Sequence, residues 1–401
     1  MTGSKARRGS STLEAAQSPG SPSAHTFGPG RTLRSRAKVL PEHARGHNRA
    51  LVLQTLYHDG AMSRADLSRE TSLTRVTISD LVGELISDGI VVEKGVREAS
   101  GPGKPAILVD IDREGHQIIG IDLSGPDAFL GAVLSLDGGI VARREVARPS
   151  SFDGAEALEA VLALARQLVA ETTSPILGVG VGTPGVVTPD GVVLKAPNFG
   201  WTELPLERLL GEALALPVLV ANDANAAVLA EYTFGGAQAD TVLIKVGRGV
   251  GSGVLSSGQP LLGSHYAAGE IGHVTVGTDG GPGCVCGKSG CLEAWLSVPA
   301  LTARLAAAPA AEAGGILRDA GERLGIALAP VVGVLDVSEI VLSGPIELLD
   351  GPLATATVET LRARTLARFH DSVRVRMTEQ GEDIVLRGAA VMVLSGQLGV
   401  S

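Results

Sequence analysis

Apolar residues between positions 46 and 96 recur at helical spacing and then give way to a short apolar run. Ser63 followed by Asp66 predicts a capping box at the start of a second short helix, and Thr74 predicts the N-cap of a third. The third helix has apolar residues at i, i+3, i+4, i+7 and i+8, which predicts one buried face made of Ile78, Leu81, Val82, Leu85 and Ile86. Three helices with a tight turn before the third are typical of a helix-turn-helix, whose third helix enters the major groove by its N-terminal residues.

Two apolar segments after these helices predict a wing. The segment 90–92 is expected to pair with 106–109 across a loop that carries basic residues. Side chains at the start of the third helix are expected to contact bases, and those of the wing to contact phosphates. The predicted DNA-contacting residues are Thr74, Arg75, Thr77, Ser79, Lys94, Arg97 and Lys104. The alternative is a three-helix core that does not bind DNA.

The remainder of the chain predicts an α/β fold, because strand patterns alternate with helical ones. Strands are expected at 117–123, 132–136, 140–145, 176–181, 218–221 and 242–246, with helices at 155–170 and within 298–335. We therefore expect three regions: a tail at 1–44, a DNA-binding domain at 45–112 and a larger domain at 113–401. The larger domain divides into lobes of about 113–238 and 239–401. The tail is rich in Ser, Gly, Pro and Arg without apolar periodicity, so it is predicted to be disordered.

Charge is distributed unevenly between the two ends of the chain. Residues 1–109 carry 15 Lys and Arg against 10 Asp and Glu, whereas residues 110–401 carry 19 against 33. A basic N-terminal end indicates a surface that faces nucleic acid. Residues 1–10 are polar and basic and are not followed by an apolar signal segment, and no uninterrupted apolar run is long enough to span a bilayer. The sequence thus predicts a cytoplasmic protein without a membrane partner.

The three cysteines of the chain fall within eight positions, at Cys284, Cys286 and Cys291. His273 lies eleven residues before the first of them. Three thiolates and one imidazole complete a tetrahedral zinc site that has no open position for water or substrate. The spacing therefore predicts a structural zinc ion and disfavours a zinc hydrolase. The alternative is three free thiols beside an unrelated histidine.

This segment also carries a resemblance to a known family. Gly269-Glu270-Ile271-Gly272-His273, followed by Cys-x-Cys-Gly-x-x-Gly-Cys-Leu-Glu up to Glu293, resembles the ROK family of bacterial sugar kinases, sugar-responsive repressors and open reading frames. The resemblance covers residues 46 to about 398. It implies an actin-like (ribonuclease-H-like) two-lobe sugar kinase fold preceded by a winged helix-turn-helix domain. It also implies sugar contacts by Asn198, Asn222, Asp223, Glu270, His273 and Glu293.

The residue that matches Asp223 is the general base in ROK kinases, but a carboxylate that accepts from a sugar hydroxyl serves binding equally well. A purely structural alternative for Asp223 is an N-cap. The phosphate loops depart from the kinase pattern. The first loop reads Asp122-Leu123-Ser124-Gly125-Pro126 where kinases have Asp-x-Gly-Gly-Thr, and the second reads Gly247-Arg248-Gly249 where they have Gly-Thr-Gly. Both loops lose hydroxyl donors, and Pro126 also lacks a backbone N–H.

These features together favour a sugar-responsive transcriptional regulator, a repressor of carbohydrate-metabolism genes, over an enzyme. Its expected partners are operator DNA and a sugar or sugar derivative, and its expected assembly is a homodimer or homotetramer. The alternative is an ATP-dependent sugar kinase with an appended DNA-binding domain, for which Asp223 would be the catalytic base.

Overall fold

The computed structural model describes residues 41–96, 106–149, 153–277, 280–366 and 373–400, without the side chains of residues 41–44. Residues 45–401 form one compact unit and residues 1–44 another, of which only the helical residues 41–44 are described. Most of the predicted tail, and the wing residues Arg97 and Lys104, lie outside the described residues.

The N-terminal part of the chain forms three helices and a small sheet. Thr74 caps the third helix and Ser63 with Asp66 forms the capping box of the second, so both predicted caps are confirmed. The first helix begins at Pro41, before the boundary expected from the sequence. The elements are α1 Pro41–Asp59, β1 Met62–Ser63, α2 Arg64–Glu70, α3 Arg75–Ser87, β2 Val91–Val96 and β3 Ile107–Ile111.

The wing strands pair as an antiparallel ladder in which Val91 lies opposite Ile111 and Val96 opposite Ile107. Both strands are longer than the apolar runs suggested. The sheet order is β1-β3-β2, because the two-residue strand β1 joins the other edge of β3. The sequence analysis did not predict β1.

The first large sheet has the order β11-β7-β4-β5-β6, in which β4, β7 and β11 are parallel and the β4-β5-β6 meander is antiparallel. All its predicted strands are present, although β5 begins four residues earlier than expected. A smaller sheet of β8, β9 and β10 lies between β7 and β11 in the chain. The elements are β4 Gln117–Asp122, β5 Ala128–Ser135, β6 Ile140–Ala147, α4 Gly154–Glu171, β7 Ile176–Thr183, β8 Val186–Val187, β9 Val193–Ala196, β10 Trp201–Leu204, α5 Leu206–Leu214 and β11 Val218–Asn222.

The second large sheet has the order β14-β13-β12-β15-β16, with β12, β15 and β16 parallel. The predicted helical stretch after residue 298 is confirmed as two helices, the longer of which has Pro330 in its interior. The elements are α6 Asp223–Phe234, β12 Thr241–Val246, β13 Val250–Ser256, β14 Gln259–Pro260, α7 Glu293–Leu296, α8 Val298–Ala306, α9 Ala313–Leu335, β15 Glu339–Ser343, α10 Ile346–Leu349, α11 Pro352–Arg364 and β16 Arg374–Met377.

The last helix, α12 Ile384–Leu398, leaves the second sheet and packs on the first. It lies so close to α6 that a Cβ on Gly388 would come within 1.9 Å of Ala226 O. The last helix of the second predicted lobe, 239–401, thus packs on the sheet of the first. Among the described residues, no helix is long and apolar enough to cross a membrane.

Helix α12 also joins the N-terminal helices to the first sheet through one buried apolar cluster. The cluster combines residues of α1 and α3 with residues of β4, β5 and α12: Leu53, Leu56, Leu85, Ile118, Leu134, Ala390, Leu394 and Leu398. Two hydrogen bonds reinforce this contact. Tyr57 Oη donates to Leu136 O at 2.9 Å, and Arg113 Nη2 donates to Tyr57 O at 3.0 Å.

Candidate functional site

The turn between β11 and α6 places two predicted sugar residues at the carboxyl end of the first sheet. Asn222 Oδ1 accepts hydrogen bonds from Ala224 N at 2.9 Å and Asn225 N at 3.1 Å, and Asn222 Nδ2 donates to Gly185 O at 3.0 Å. Asn222 is thus the N-cap of α6. The structural alternative in which Asp223 is the N-cap is wrong, and the Asp223 carboxylate is available to other partners.

Asp223 is paired with a lysine that the sequence analysis did not single out. Lys245, on β12, places Nζ 3.0 Å from Asp223 Oδ2 and donates to Ser124 Oγ at 2.8 Å. Ser124 N in turn donates to Asp122 Oδ1 at 2.7 Å. The signal in the sequence was a single charged residue inside the apolar strand Val-Leu-Ile-Lys-Val.

Burial and neighbouring charges in this cluster shift the pKa values of Asp122 and Lys245. Burial raises the pKa of Asp122, while Lys245 and the hydrogen bonds from Ser124 oppose that shift. Burial alone would lower the pKa of Lys245, but Asp223 and Asp122 outweigh it, and the pKa of Lys245 is raised. Lys245 therefore stays an ammonium ion although only 18% of its side chain is exposed.

The loops that would hold phosphates in a kinase lie beside this cluster. Pro126 and Arg248 are both exposed, and Arg248 Nη1 lies 3.5 Å from Pro126 O, at the outer limit of a hydrogen bond. A cavity of about 600 Å³ opens between these loops and the cysteine segment, and its lining includes Pro126, Arg248, Cys284, Glu293 and Ser297. The departures from the kinase pattern thus face a cavity.

The four predicted metal ligands come together. One ligand atom from each of His273, Cys284, Cys286 and Cys291 lies within 4.8 Å of all the others. His273 Nδ1 is 3.6 Å from Cys284 Sγ, and Cys286 Sγ is 3.6 Å from Cys291 Sγ. A tetrahedral zinc ion with Zn–S bonds of about 2.3 Å would separate two sulfurs by roughly 3.8 Å, and sulfur from nitrogen by slightly less. The donor set and its spacing therefore fit a zinc ion.

Glu270 and Glu293 flank the metal ligands. The segment of Glu270 is pressed onto β13, because a Cβ on Gly272 would come within 2.0 Å of Val250 O. Glu293 Oε2 accepts from Val250 N at 3.1 Å, which links the end of the cysteine segment to the same strand. Partial burial raises the pKa of Glu270, His273 opposes the shift, and Asp223 and Glu293 add to it. Glu270 is therefore close enough to His273, Asp223 and Glu293 for their charges to shift its pKa.

Asn198 lies on an exposed turn, Pro197–Phe199. Arg148 Nη2 donates to Asn198 O at 2.9 Å, and its guanidinium carbon lies 4.9 Å from the centre of the Phe199 ring. The structure thus anchors the backbone of Asn198 while its side chain is exposed.

The start of α3 presents a small exposed surface. Arg75 and Ser79 are exposed, whereas Thr77 is half-buried and its Oγ1 lies 2.9 Å from Thr74 Oγ1. Val76 is 71% exposed, an apolar side chain that the sequence analysis did not include. Lys94 is exposed on β2. Thr77 is thus less accessible than expected, since it belongs to the cap of the helix.

Comparisons with known proteins agree with this arrangement. The xylose repressor of Caldicellulosiruptor bescii is 29% identical over 88% of this chain and 96% of its own length. A glucokinase of Halalkalibacterium halodurans is 31% identical over 69% of this chain and 94% of its own length. Among solved structures, a ROK family transcriptional regulator homologous to the Escherichia coli Mlc protein covers 89% of this chain and 98% of its own, with 27% identity and a TM-score of 0.79.

The match to the Caldicellulosiruptor bescii repressor covers 88% of this chain, which is more than residues 113–401 contain, whereas the match to the glucokinase covers 69%. The ROK family itself matches residues 118–395. The resemblance identified from the cysteine segment is therefore confirmed, and this chain belongs to the ROK family.

Proposed function

We propose that this protein is a sugar-responsive, DNA-binding repressor of carbohydrate-metabolism genes. One observation carries the proposal: the helix-turn-helix and the cleft with Asp223, Glu270 and His273 belong to one compact unit with a shared apolar cluster. The names of the relatives support it, since those that extend over the N-terminal helices include a xylose repressor and an N-acetylglucosamine repressor. A regulator of this kind acts in the cytoplasm on chromosomal DNA.

The ligand side of the proposal assigns sugar contacts to Asn198, Asn222, Asp223, Glu270, His273 and Glu293. A carboxylate accepts hydrogen bonds from hydroxyl groups, so Asp223 and Glu270 suit a polyhydroxylated ligand. His273 holds the metal site through Nδ1, which leaves Nε2 as the ring nitrogen for the ligand. A structural zinc ion held by His273 and the three cysteines would fix the orientation of that imidazole.

A path of packed elements connects the cleft to the DNA-binding helices. Helix α6 begins at Asp223 and packs against α12, and α12 shares its apolar cluster with α1 and α3. A ligand that favours one arrangement of α6 would therefore shift the orientation of α3, provided that its affinity differs between the arrangements. In a homodimer or homotetramer, this shift would change the spacing of two DNA-reading helices.

DNA binding is tested with wild type, Arg75→Ala and the matched wing variant Lys94→Ala on genomic fragments across a salt series. A bidentate base contact is worth about 1–3 kcal/mol of discrimination, so Arg75→Ala is expected to lose affinity and relax sequence preference. Lys94→Ala is expected to weaken all sequences alike and to reduce the salt slope by about one. Full affinity and selectivity in Arg75→Ala would show that α3 is not the reading helix.

Ligand response is tested by a thermal-shift screen of neutral and phosphorylated sugars, followed by DNA release with each sugar that stabilises the protein. We expect at least one sugar to raise the melting temperature and to change operator affinity. The glucokinase relative makes a sugar kinase the second candidate. We infer that the chain lacks efficient kinase activity, because Pro126, Arg248 and the Lys245–Asp223 pair all oppose phosphoryl transfer. Turnover with ATP and magnesium on the order of 1–100 per second would favour the kinase instead.

A further inference from the structure

Lys245 is the least expected side chain of the cleft. It projects from β12, whose other central residues Leu243 and Ile244 are fully buried apolar side chains. An ammonium ion in such a place loses most of its hydration, which costs several kcal/mol unless polar partners replace the water. The cost is offset by two such partners at hydrogen-bonding distance, Asp223 Oδ2 at 3.0 Å and Ser124 Oγ at 2.8 Å.

The two carboxylates near Lys245 also need a cation. Asp122 is 5% exposed and the Asp223 side chain 15%, and both act on the charge of Lys245. Two carboxylates that share a poorly solvated site repel each other, and one of them takes up a proton unless a positive charge lies between them. The parallel strands β4 and β11 both end at this edge of the sheet, so the fold itself brings Asp122 and Asp223 together.

Lys245 further limits what Asp223 can do. Its contact occupies Oδ2 of the Asp223 carboxylate and leaves Oδ1 to accept from a ligand hydroxyl. Asp223 is thereby held as a hydrogen-bond acceptor.

We propose that Lys245 is a resident cation of the cleft, which takes the position between Asp122 and Asp223 that a divalent metal ion would otherwise fill. The ligand then binds without a metal ion, and Lys245 is the residue that positions Asp223 for it. The statement about the ligand rests on the proposed sugar-binding function, but the statement about the cation does not. Carboxylate oxygens such as those of Asp122 and Asp223 are ligands that Mg²⁺ and Mn²⁺ prefer.

The first experiment uses manganese alone and needs neither sugar nor DNA. Zinc-loaded wild type, Lys245→Met, Lys245→Arg and the double variant Lys245→Met/Asp122→Asn are titrated with Mn²⁺ under electron paramagnetic resonance. Lys245→Met is expected to gain a Mn²⁺ site at least about tenfold tighter than any in wild type, because it exposes two carboxylates. Lys245→Arg keeps the charge and the double variant lacks one carboxylate, so neither is expected to gain the site.

The same set of variants also provides the control for folding. If Lys245→Met is unstable, the double variant is expected to regain stability, since it also removes one negative charge, and Mn²⁺ or Mg²⁺ is expected to stabilise the single variant selectively. The proposal is overturned if Lys245→Met folds but gains no Mn²⁺ site. It is also overturned if Lys245→Met fails to fold and the double variant is equally unstable.

The second experiment tests the ligand. With a sugar found in the thermal-shift screen, wild type is expected to show the same shift with and without magnesium, whereas Lys245→Met is expected to bind the sugar at least about tenfold more weakly and to regain affinity with Mg²⁺. A wild-type shift that requires magnesium would contradict the proposal. If no sugar binds wild type under any condition, the proposed function fails while the manganese result still decides the role of Lys245.

Discussion

The two walls of the cleft differ in what their side chains offer a ligand. One wall, formed by Asp223, Glu270 and His273 near the cysteine cluster, presents acceptors and an imidazole whose backbones are fixed by close packing. The other wall presents Pro126, which has no N–H, and Arg248, whose side chain is exposed. The first wall offers acceptors of the kind that hydroxyl groups need, whereas the second has proline and arginine at positions where the kinase pattern has threonine.

Lys245 lies where the two walls meet. Its position explains why the residues of the phosphate loops can differ from the kinase pattern while the residues of the first wall match it. Its ammonium contacts Asp223 on one wall and Ser124 on the other. Recognition of a ligand needs interactions in the ground state, whereas catalysis needs interactions that strengthen in the transition state. An ammonium that is already paired with Asp223 Oδ2 in the ground state holds the carboxylate in place as a hydrogen-bond acceptor, which serves the first requirement and not the second. Binding and chemistry can therefore diverge within one cleft.

The largest expected effect comes from removing two of the cysteines that would hold the proposed zinc ion beside the first wall. Cys284→Ser combined with Cys286→Ser is expected to lose one zinc ion per chain and all sugar-induced thermal shift. Structural zinc contributes roughly 10–16 kcal/mol in small peptides, as much as the whole stability of a typical domain. Elemental analysis and the thermal shift measure both losses, and Ser289→Ala in the same segment serves as the control. Wild type without stoichiometric zinc, or a double variant with a normal sugar response, would disprove the role of the metal.

The next effect is on Asp223 itself. Asp223→Asn keeps the size of the side chain but removes the charged acceptor, and a hydrogen bond to a charged group is worth about 1.5–3 kcal/mol, or roughly 10- to 150-fold in affinity. Isothermal titration with the cognate sugar measures the loss. Asp127→Asn, on the exposed turn beside Pro126, is the matched control and is expected to bind as wild type does. Equal losses in both variants would mean that the two walls do not differ as described.

The sequence predicted the parts of this picture that depend on local chemistry. Thr74 and the Ser63–Asp66 pair were recognisable because a cap involves residues three positions apart, and the cysteine segment because its ligands lie close together in the chain. Apolar periodicity was sufficient for most strands and helices of both sheets. These patterns can be recognised in the sequence because each depends on residues that lie close together in the chain.

What the sequence did not predict depends on contacts between distant residues. Lys245 meets Ser124 across 121 positions, and α12 returns to a sheet whose strands begin near residue 117. Strand β1 has only two residues and exists because β3 offers it a free edge. Val76 was overlooked because an apolar side chain in a helix is more often buried than exposed.

A smaller effect is expected away from both walls, at the contact between α1 and the first sheet. Tyr57 is partly buried, and burial raises its pKa to about 12, so its hydroxyl remains the donor to Leu136 O. Tyr57→Phe removes this bond and is expected to destabilise the protein by about 0.5–1.5 kcal/mol without changing sugar affinity. Urea unfolding measures the loss, and the exposed Tyr266→Phe is the control. A change in sugar affinity without a change in stability would place Tyr57 in the ligand response instead.

The smallest effect is expected from restoring the kinase-pattern residues in the two phosphate loops. This change tests whether the loops alone separate binding from chemistry. Ser124→Gly, Pro126→Thr and Arg248→Thr together introduce the residues that the kinase pattern carries in both loops. If the loops alone prevented catalysis, this triple variant would phosphorylate the cognate sugar. We expect turnover to stay far below the ordinary kinase range of about 1–100 per second, because Lys245 still occupies Oδ2 of Asp223, the carboxylate that would take the hydroxyl proton. ADP release with ATP, magnesium and the sugar measures it, and adding Lys245→Thr to the three changes provides the comparison. Turnover in the kinase range for the triple variant would show that the loops, and not Lys245, separate binding from chemistry.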